Sequence, residues 1–562
     1  MNRRRAGRPA LWLLPLAFLL VFYFYPLGRV LALSFSQWVS KGLAGWNWAV
    51  VRDAVGFTLY QAALSTLLTV LLGLPAAYLF ARFQFRGKEF LRVATTLPFI
   101  LPTVVVAAGF NALIGPRGWL NLLLMGAFHL AQPPIAIQNT LAAILLAHVF
   151  YNLSIVIRTV AAAWEGIDAR LENAARTLGA SPFRVLHEVT LPLLRPAILS
   201  ALLLVFLFDF TSFGVILMMG GPQFTTLEVE IYIQTMQFLN LPLAGLLALI
   251  QLAFCMLITG TLIGTGRSMD VPLMPRVRQE NLRGARGFTE KIFVVGLSAF
   301  LIILLVLPLL ALTAQAFFIQ SEAGGWHFSL TFFRQLFLNP RSSIFYVPPI
   351  TALRNSLLYA LAASSLALVL GMLVALGASS NSRLNRWLDW LVMLPLGTSA
   401  VTFGLALFLA FGMSVSAPRW YPLLIPLAHA LIALPFVLRL IEPALRSIPP
   451  NLKWAAATLG ASPRRVWREV ELPIIRRAAA TAFVYAFAIS LGEFGATSFL
   501  TRPDIPTLPI AVYRYLSLPG TLNFGQAMAM AVVLLVVCAA SMFLVDRLQL
   551  SFNIKEETRK HA

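Results

Sequence analysis

Apolar residues along the chain fall into long runs instead of scattering. Such runs include Leu11 to Tyr25, Leu141 to Tyr151, Ala197 to Phe208, Leu246 to Gly264, Phe293 to Phe318 and Ala527 to Val545. A helix needs about 20 predominantly apolar residues to cross the hydrocarbon core, and most of these segments reach that length once their weakly polar edges are included. The pattern predicts about twelve membrane-spanning helices, starting near residues 11, 55, 92, 141, 194, 243, 290, 353, 387, 421, 477 and 526. The expected fold is an all-α integral membrane protein.

Composition agrees: 59% of the residues are hydrophobic and 12% charged, against roughly 25% charged in soluble domains. The formal net charge of +21 would suggest a nucleic-acid partner if taken alone. Its placement removes that reading. With a cytoplasmic N-terminus bearing Arg3, Arg4, Arg5 and Arg8, the inside connections hold Arg82 to Arg92, Arg158 to Arg195, Arg267 to Lys291, Arg383 and Arg386, Arg439 to Arg477 and the C-terminal tail. Only ten of the 43 Lys and Arg residues then fall outside, so the charge records topology. The basic head and apolar run at the N-terminus read as a retained first span, for no small-residue cleavage site follows them. Cys255 and Cys538 both lie within predicted spans and build neither a disulfide framework nor a zinc site. No catalytic or metal-binding set is expected.

An internal repeat organises the chain. Thr177-Leu178-Gly179-Ala180-Ser181-Pro182 recurs unchanged as Thr458-Leu459-Gly460-Ala461-Ser462-Pro463, and the spacing from 179 to 460 is 281, half of 562. At the same spacing His148 pairs with His429, Arg158 with Arg439, Leu191-Pro192 with Leu472-Pro473, Phe213-Gly214 with Phe494-Gly495 and Tyr232 with Tyr513. The sequence predicts two repeats, 1–275 and 276–562, each of about six spans. An even number of spans makes them parallel, related by an axis along the membrane normal.

The repeated segments form predicted elbows at about 165–196 and 446–477. Leu171 to Leu178 favours a short helix, and Gly179 lets the backbone leave the right-handed region. Ser181-Pro182 starts a second helix with a cap and a first-turn proline, carrying Phe183, Val185, Leu186 and Val189. Leu191-Pro192 is expected to end it before the next span. The run Ala-Ala-Arg-Thr-Leu-Gly-Ala-Ser-Pro, followed by Val-Thr-Leu-Pro-Leu-Leu-Arg-Pro, resembles the EAA loop of ABC importer permeases. The resemblance implies a type I ABC importer permease fold, in which this elbow docks into a groove on an ATP-hydrolysing subunit. Ala174, Ala175, Gly179 and Pro192 match the loop in the first half, and Ala455, Ala456, Gly460 and Pro473 in the second, with Glu172 counted among the first elbow's coupling residues. The acidic residue that precedes the alanines in that family is Asn173 here and Trp454 in the second copy. No phosphate-binding Gly-x-x-x-x-Gly-Lys-Ser/Thr run is present, since Arg86-Gly87-Lys88 lacks the rest of it. The expectation is therefore a chain that is not itself an enzyme and binds no cofactor. ATP and magnesium would be held by two copies of a partner ATPase, and an extracytoplasmic solute-binding protein would be the other partner.

Carboxylates within spans are costly and mark functional positions. Asp209 and Glu493 are two such groups; they are not aligned, for Glu493 falls opposite Ser212. Asp209, Ser212 and Glu493 are candidates for the translocation path, attracting a cationic solute or closing a gate. The alternative is a buried carboxylate satisfied by neighbouring hydroxyls or backbone. His148 and His429 read more simply as helix–helix hydrogen-bonding residues. Trp46, Trp48, Trp119 and Trp326 read as interfacial anchors, and the acidic pair Glu228 and Glu230 as a docking feature for the binding protein.

Fused two-half permeases of this length resemble two related groups, thiamine importers and ferric-iron importers. The runs Ser212-Phe213-Gly214-Val215 to Gly220-Gly221-Pro222-Gln223 and Gly492-Glu493-Phe494-Gly495 look more like the thiamine group. Intramembrane carboxylates suit either cation, and an iron, polyamine or other small-solute permease remains open. An ion-coupled secondary transporter is the alternative outside this class. The expected location is the bacterial inner membrane, with both termini cytoplasmic.

Overall fold

The computed structural model describes residues 10–42, 45–99, 101–264, 282–320, 325–338, 348–378, 388, 390–412 and 420–560. Among them, ten helices are long and apolar enough to cross a membrane, or eleven if the bent pair Trp390–Gly397 and Ala400–Gly412 is one span. Among the described residues the regular structure is helical apart from a two-stranded antiparallel ribbon, Phe318–Gln320 with Trp326–Phe328, and an isolated bridge between Phe83 and Arg283.

The expected uninterrupted spans near residues 92 and 387 are broken. The first is divided among Lys88–Ala94, Leu97–Phe99, Thr103–Ile114 and Trp119–Phe128; the second bends by 101°. Proline explains both breaks. Pro98, Pro102 and Pro395 lack an N–H and disfavour helix in the residue before them. Beyond the second break, Ser399 restarts the helix by accepting a hydrogen bond from the Thr402 amide at 3.0 Å.

Two compact units arise, and they are not the two sequence repeats. One comprises 1–46, 231–252 and 331–562, the other 47–230 and 253–330. The expected boundary at 275/276 lies outside the described residues. In the first unit the N-terminal helix packs against the second repeat. Tyr23 Oη and Thr398 Oγ1 are hydrogen-bonded at 3.0 Å, and a Cβ on Gly377 would stand 2.6 Å from Trp12 Nε1. In the second unit Leu307–Phe317 packs against Thr103–Ile114. A Cβ on Gly109 would meet the Pro308 carbonyl oxygen at 3.0 Å, and Gln315 Nε2 donates to the Arg117 carbonyl at 2.9 Å.

The repeat shows in the helix crossings. A Cβ on Gly73 would lie 2.6 Å from Val156, and one on Gly371 would lie 2.7 Å from Val437. Each crossing brings two spans together at a glycine, the device by which membrane helices gain contact. Trp48–Arg82 begins on Asn47, whose side chain accepts from the Val50 amide. At its other end Lys88 Nζ donates to the carbonyls of Phe80 and Phe83 at 2.7 and 2.8 Å, satisfying acceptors that a helix end leaves open. Burial, and then the neighbouring Arg92, pushes the Lys88 amine down to about 8. The lysine that failed to complete a phosphate-binding motif is thus a helix cap.

Candidate functional site

Each elbow is built as its turn residues dictate. In the first, Asp168 caps Ala169–Thr177 by accepting from the Arg170 amide. Gly179 then takes φ +86°, and Gly460 in the second elbow takes φ +79°. The Gly179 and Ala180 amides close back onto the Arg176 and Ala175 carbonyls, and those of Gly460 and Ala461 onto Ala457 and Ala456. Ser181 and Ser462 cap the second helices, accepting from the Arg184 and Arg465 amides. On these helices Arg184 Nε donates to Glu188 at 2.9 and 3.0 Å, and Arg465 Nε donates to Glu469 at 3.0 and 3.1 Å.

The proline that follows does not end the second helix, contrary to the reading of Leu191-Pro192. Pro182–Phe210 and Pro463–Gly492 each run on as one span. The seam is a π turn, Leu186–Thr190 or Trp467–Glu471, whose last bond runs from the Leu191 amide to the Leu186 carbonyl, or from Leu472 to Trp467. Pro192 and Pro473 follow this wider turn, which relieves the clash a proline ring makes in an α-helix. The elbow is therefore continuous with a membrane helix of 29 residues in the first half and 30 in the second.

The tips carry exposed apolar side chains. Leu178 is 89% exposed and its repeat partner Leu459 is 88% exposed; Phe183 in the first elbow and Trp454 in the second are also open. Ala174, Ala455, Gly179, Gly460, Pro192 and Pro473 lie at the surface, with Ala175 and Ala456 half-buried. Glu172 differs, being buried at the base of the elbow. It pairs with Arg82 and accepts from Thr190 Oγ1 at 3.1 Å. In the second elbow the corresponding positions hold Lys453 and Glu471, which pair with each other. Sequence reading missed these braces, although the 281-residue spacing sets Lys453 on Glu172 and Glu471 on Thr190.

At the other end of each long helix stands a buried polar cluster. His148 Nε2 is hydrogen-bonded to Ser212 Oγ at 2.8 Å, and Nδ1 lies 3.4 Å from Asp209 Oδ1. Asn152 Nδ2 donates to the same carboxylate oxygen at 2.6 Å. In the second half His429 Nδ1 is bonded to Ser490 Oγ at 2.7 Å, and Nε2 lies 3.1 Å from Glu493 Oε2. The Ala496 and Thr497 amides also donate to the Glu493 carboxylate, at 2.7 and 3.0 Å. Both histidines lie on the helix before the elbow, Leu141–Glu165 or Leu424–Arg446. Glu493 is satisfied within its own unit, whereas Asp209 Oδ2 is buried without a hydrogen-bond partner among the described residues; the histidines do join helices as expected.

Two outer-loop readings need correction. Glu228 and Glu230 are buried and present no acidic face to a docking protein. Of the four tryptophans Trp46 alone departs from the anchor reading, being buried; Trp48 and Trp326 are exposed, and Trp119 packs on Trp326 with ring centroids 4.4 Å apart. Burial depends on how the chain folds back over these residues, which their loop positions do not reveal. Among the described residues, no group of three or more His, Cys, Asp or Glu is placed to hold a metal ion.

Comparison with known proteins adds the following. The family described as the inner membrane component of binding-protein-dependent transport systems matches residues 69–266 and 367–553, each stretch containing one elbow and one polar cluster. A thiamine transport system permease protein of Brucella abortus (strain 2308) is 29% identical over 510 residues, covering 89% of this chain and 87% of that protein. One of Escherichia coli (strain K12) is 26% identical over 523 residues, covering 91% of each. A probable ABC transporter permease protein of Sinorhizobium fredii is 26% identical over 483 residues, covering 82% of this chain and 81% of that one.

Proposed function

The chain belongs to the family of inner membrane components of binding-protein-dependent transport systems, and on that premise we propose that it is both transmembrane halves of an ATP-driven thiamine importer. The observation that carries the importer reading is the pair of elbows. Each is continuous with a membrane helix and ends in an exposed leucine, Leu178 or Leu459. A rigid helix with an apolar tip is suited to insert into another protein and pass its motion into the bilayer. Thiamine follows from the names of relatives aligned over about nine-tenths of the chain.

The elbows face the cytoplasm in this reading, as do both termini, and each receives one of two ATPase subunits that hold ATP and magnesium. A loaded binding protein docks on the other side. ATP draws the ATPase subunits together, the elbows carry that movement along Pro182–Phe210 and Pro463–Gly492, and the path opens outward. Hydrolysis returns it inward and releases the solute. Glu172 acts in this scheme by bracing the elbow against Arg82, while Ala174, Ala175, Ala455 and Ala456 keep the docking face low enough for close approach.

The test is ATP hydrolysis by the permease reconstituted in liposomes with its ATPase and binding protein. Stimulation by thiamine-loaded binding protein, and not by the ferric-loaded or empty form, is the expected result. Stimulation by the ferric-loaded form alone would replace the substrate and leave the class standing. No stimulation with all components folded would refute the coupling.

A further inference from the structure

Positions 281 apart set His148 on His429, Asp209 on Ser490 and Ser212 on Glu493. Carboxylate and hydroxyl have exchanged places between the halves. The histidine keeps one orientation towards both. Its Nδ1 faces position 209 or 490: it is hydrogen-bonded to Ser490 Oγ at 2.7 Å in the second half, and in the first it lies 3.4 Å from Asp209 Oδ1, close to the carboxylate but not hydrogen-bonded to it. Its Nε2 faces position 212 or 493, with Ser212 Oγ at 2.8 Å in the first half; in the second, Glu493 Oε2 lies at 3.1 Å and Thr497 Oγ1, hydrogen-bonded to the same nitrogen, at 2.8 Å. The side-chain donor to the carboxylate moves as well. Asn152 serves Asp209 at 2.6 Å and has Ala433 as its counterpart; Thr497 serves Glu493 at 2.5 Å and has Ile216 as its counterpart.

A carboxylate that contacts a passing solute must present itself at a fixed point of the path. These two differ by three residues along the chain, Asp209 inside its helix and Glu493 just past the end of its own, and each is enclosed: Asp209 is 0% exposed and Glu493 is 8% exposed. What they share is the histidine. They also share a mechanical position, for the helix ends at Phe210 or Gly492 and the chain breaks before a short helix, Gly214–Met219 or Gly495–Leu500. In each half the helix before the elbow and the helix after it are joined at one end by the elbow and at the other by this cluster. Closing the frame at both ends makes the elbow move its helix as a body, since a frame open at the far end would splay.

We propose that histidine, carboxylate and hydroxyl form a clasp in each half, in which the acid serves equally from either of two positions. Asp209 and Glu493 are then positioning residues for transport, acting through His148 and His429, and are not ligands of the solute. The inference rests on the importer reading above for its link to transport.

The experiment transposes the first clasp into the second arrangement in the full chain. The variants are Asp209→Ser, Ser212→Glu, the pair together, and the pair with Asn152→Ala and Ile216→Thr. Each is assembled with ATPase and binding protein in liposomes for ATP-dependent uptake of labelled thiamine and for ATP hydrolysis, and the purified permease is melted in detergent. Asp209→Ser is expected to lower uptake about tenfold, the equivalent of about 1.4 kcal/mol, while hydrolysis continues, and to lower the melting midpoint. Ser212→Glu crowds two carboxylates around one histidine and should do the same. The fully transposed variant should return uptake per ATP to within about twofold of the parent and restore the midpoint. Normal uptake and midpoint in Asp209→Ser would overturn the proposal. So would a transposed variant that melts like the parent yet takes up no more than Asp209→Ser, because the acid would then be needed at 209 itself. Should the first-half variants fail to accumulate, Ser490→Asp with Glu493→Ser, Ala433→Asn and Thr497→Ile makes the converse test, and failure of both sets to accumulate would count against a transposable clasp. A parent without ATP-dependent thiamine uptake would defeat the functional reading, whereas the midpoints would still decide the clasp.

Discussion

Gly179 and Gly460 show what a single residue contributes to the elbows. Nothing lies within 4 Å of a Cβ built on either, so no neighbour forbids a side chain there. The constraint is the positive φ alone, which costs a residue with a Cβ roughly 1–2 kcal/mol. Gly179→Asn should therefore keep most uptake, since asparagine tolerates this region. Gly179→Val with Gly460→Val should uncouple ATP hydrolysis from uptake while the permease still reaches the membrane; unchanged uptake and hydrolysis would show that the turn does not set the elbow. Lys88 offers a second residue-scale test. Its amine titrates at about 8 in the fold and near 10.4 when unfolded, so the folded state disfavours the proton. Between those values the unfolded chain binds more protons, and stability rises with pH. A neutral amine still has two N–H groups for the Phe80 and Phe83 carbonyls. The melting midpoint of the parent, measured against Lys88→Met as reference, should rise from pH 8 to pH 10; a parallel or falling difference would contradict the buried-amine account.

At the scale of the element, the elbows were legible because their signals are local. A glycine, a Ser-Pro start and an apolar face recur in order, and each reports on backbone within a few residues of itself. The brace beneath the first was not, because Arg82 stands ninety residues from Glu172. The clasps were half legible. The matched histidines and the misaligned acids were visible, but only the ring orientation shows that the exchange of acid and serine is compensated. The broken helix near residue 92 escaped because composition sees an apolar run, whereas Pro98 and Pro102 decide its path. The braces carry their own prediction. Glu172→Gln leaves Arg82 largely buried without its carboxylate, a change that costs about 3–5 kcal/mol in buried pairs. The first elbow should then become more open to protease than the second, where Lys453 and Glu471 are untouched. Equal cleavage of both elbows, before and after the substitution, would show that the pair does not hold the elbow in place.

At the scale of the molecule, a repeat and a compact unit turn out to be different things. The first unit takes residues 1–46 and 231–252 from one repeat and 331–562 from the other; the second takes 47–230 and 253–275 from one and 276–330 from the other. Periodicity along a sequence cannot show this, because each helix has the same apolar pattern whichever neighbours cover it. The interleaving has a measurable consequence. A half expressed alone lacks helices that its own core requires: residues 276–562 lose Tyr23 from Thr398 and Trp12 from Gly377, and residues 1–275 lose Pro308 from Gly109 and Gln315 from the Arg117 carbonyl. Uncovered membrane helices with exposed polar groups are costly in hydrocarbon. Cutting the chain at 275/276 should therefore yield two fragments that are degraded when produced separately and accumulate when produced together, with the pair purifying as one complex on a tag carried by either fragment. Stable, monodisperse accumulation of a single half would mean that its helices can close a core within one repeat, and the exchanged segments would then be an addition to each half instead of part of its foundation.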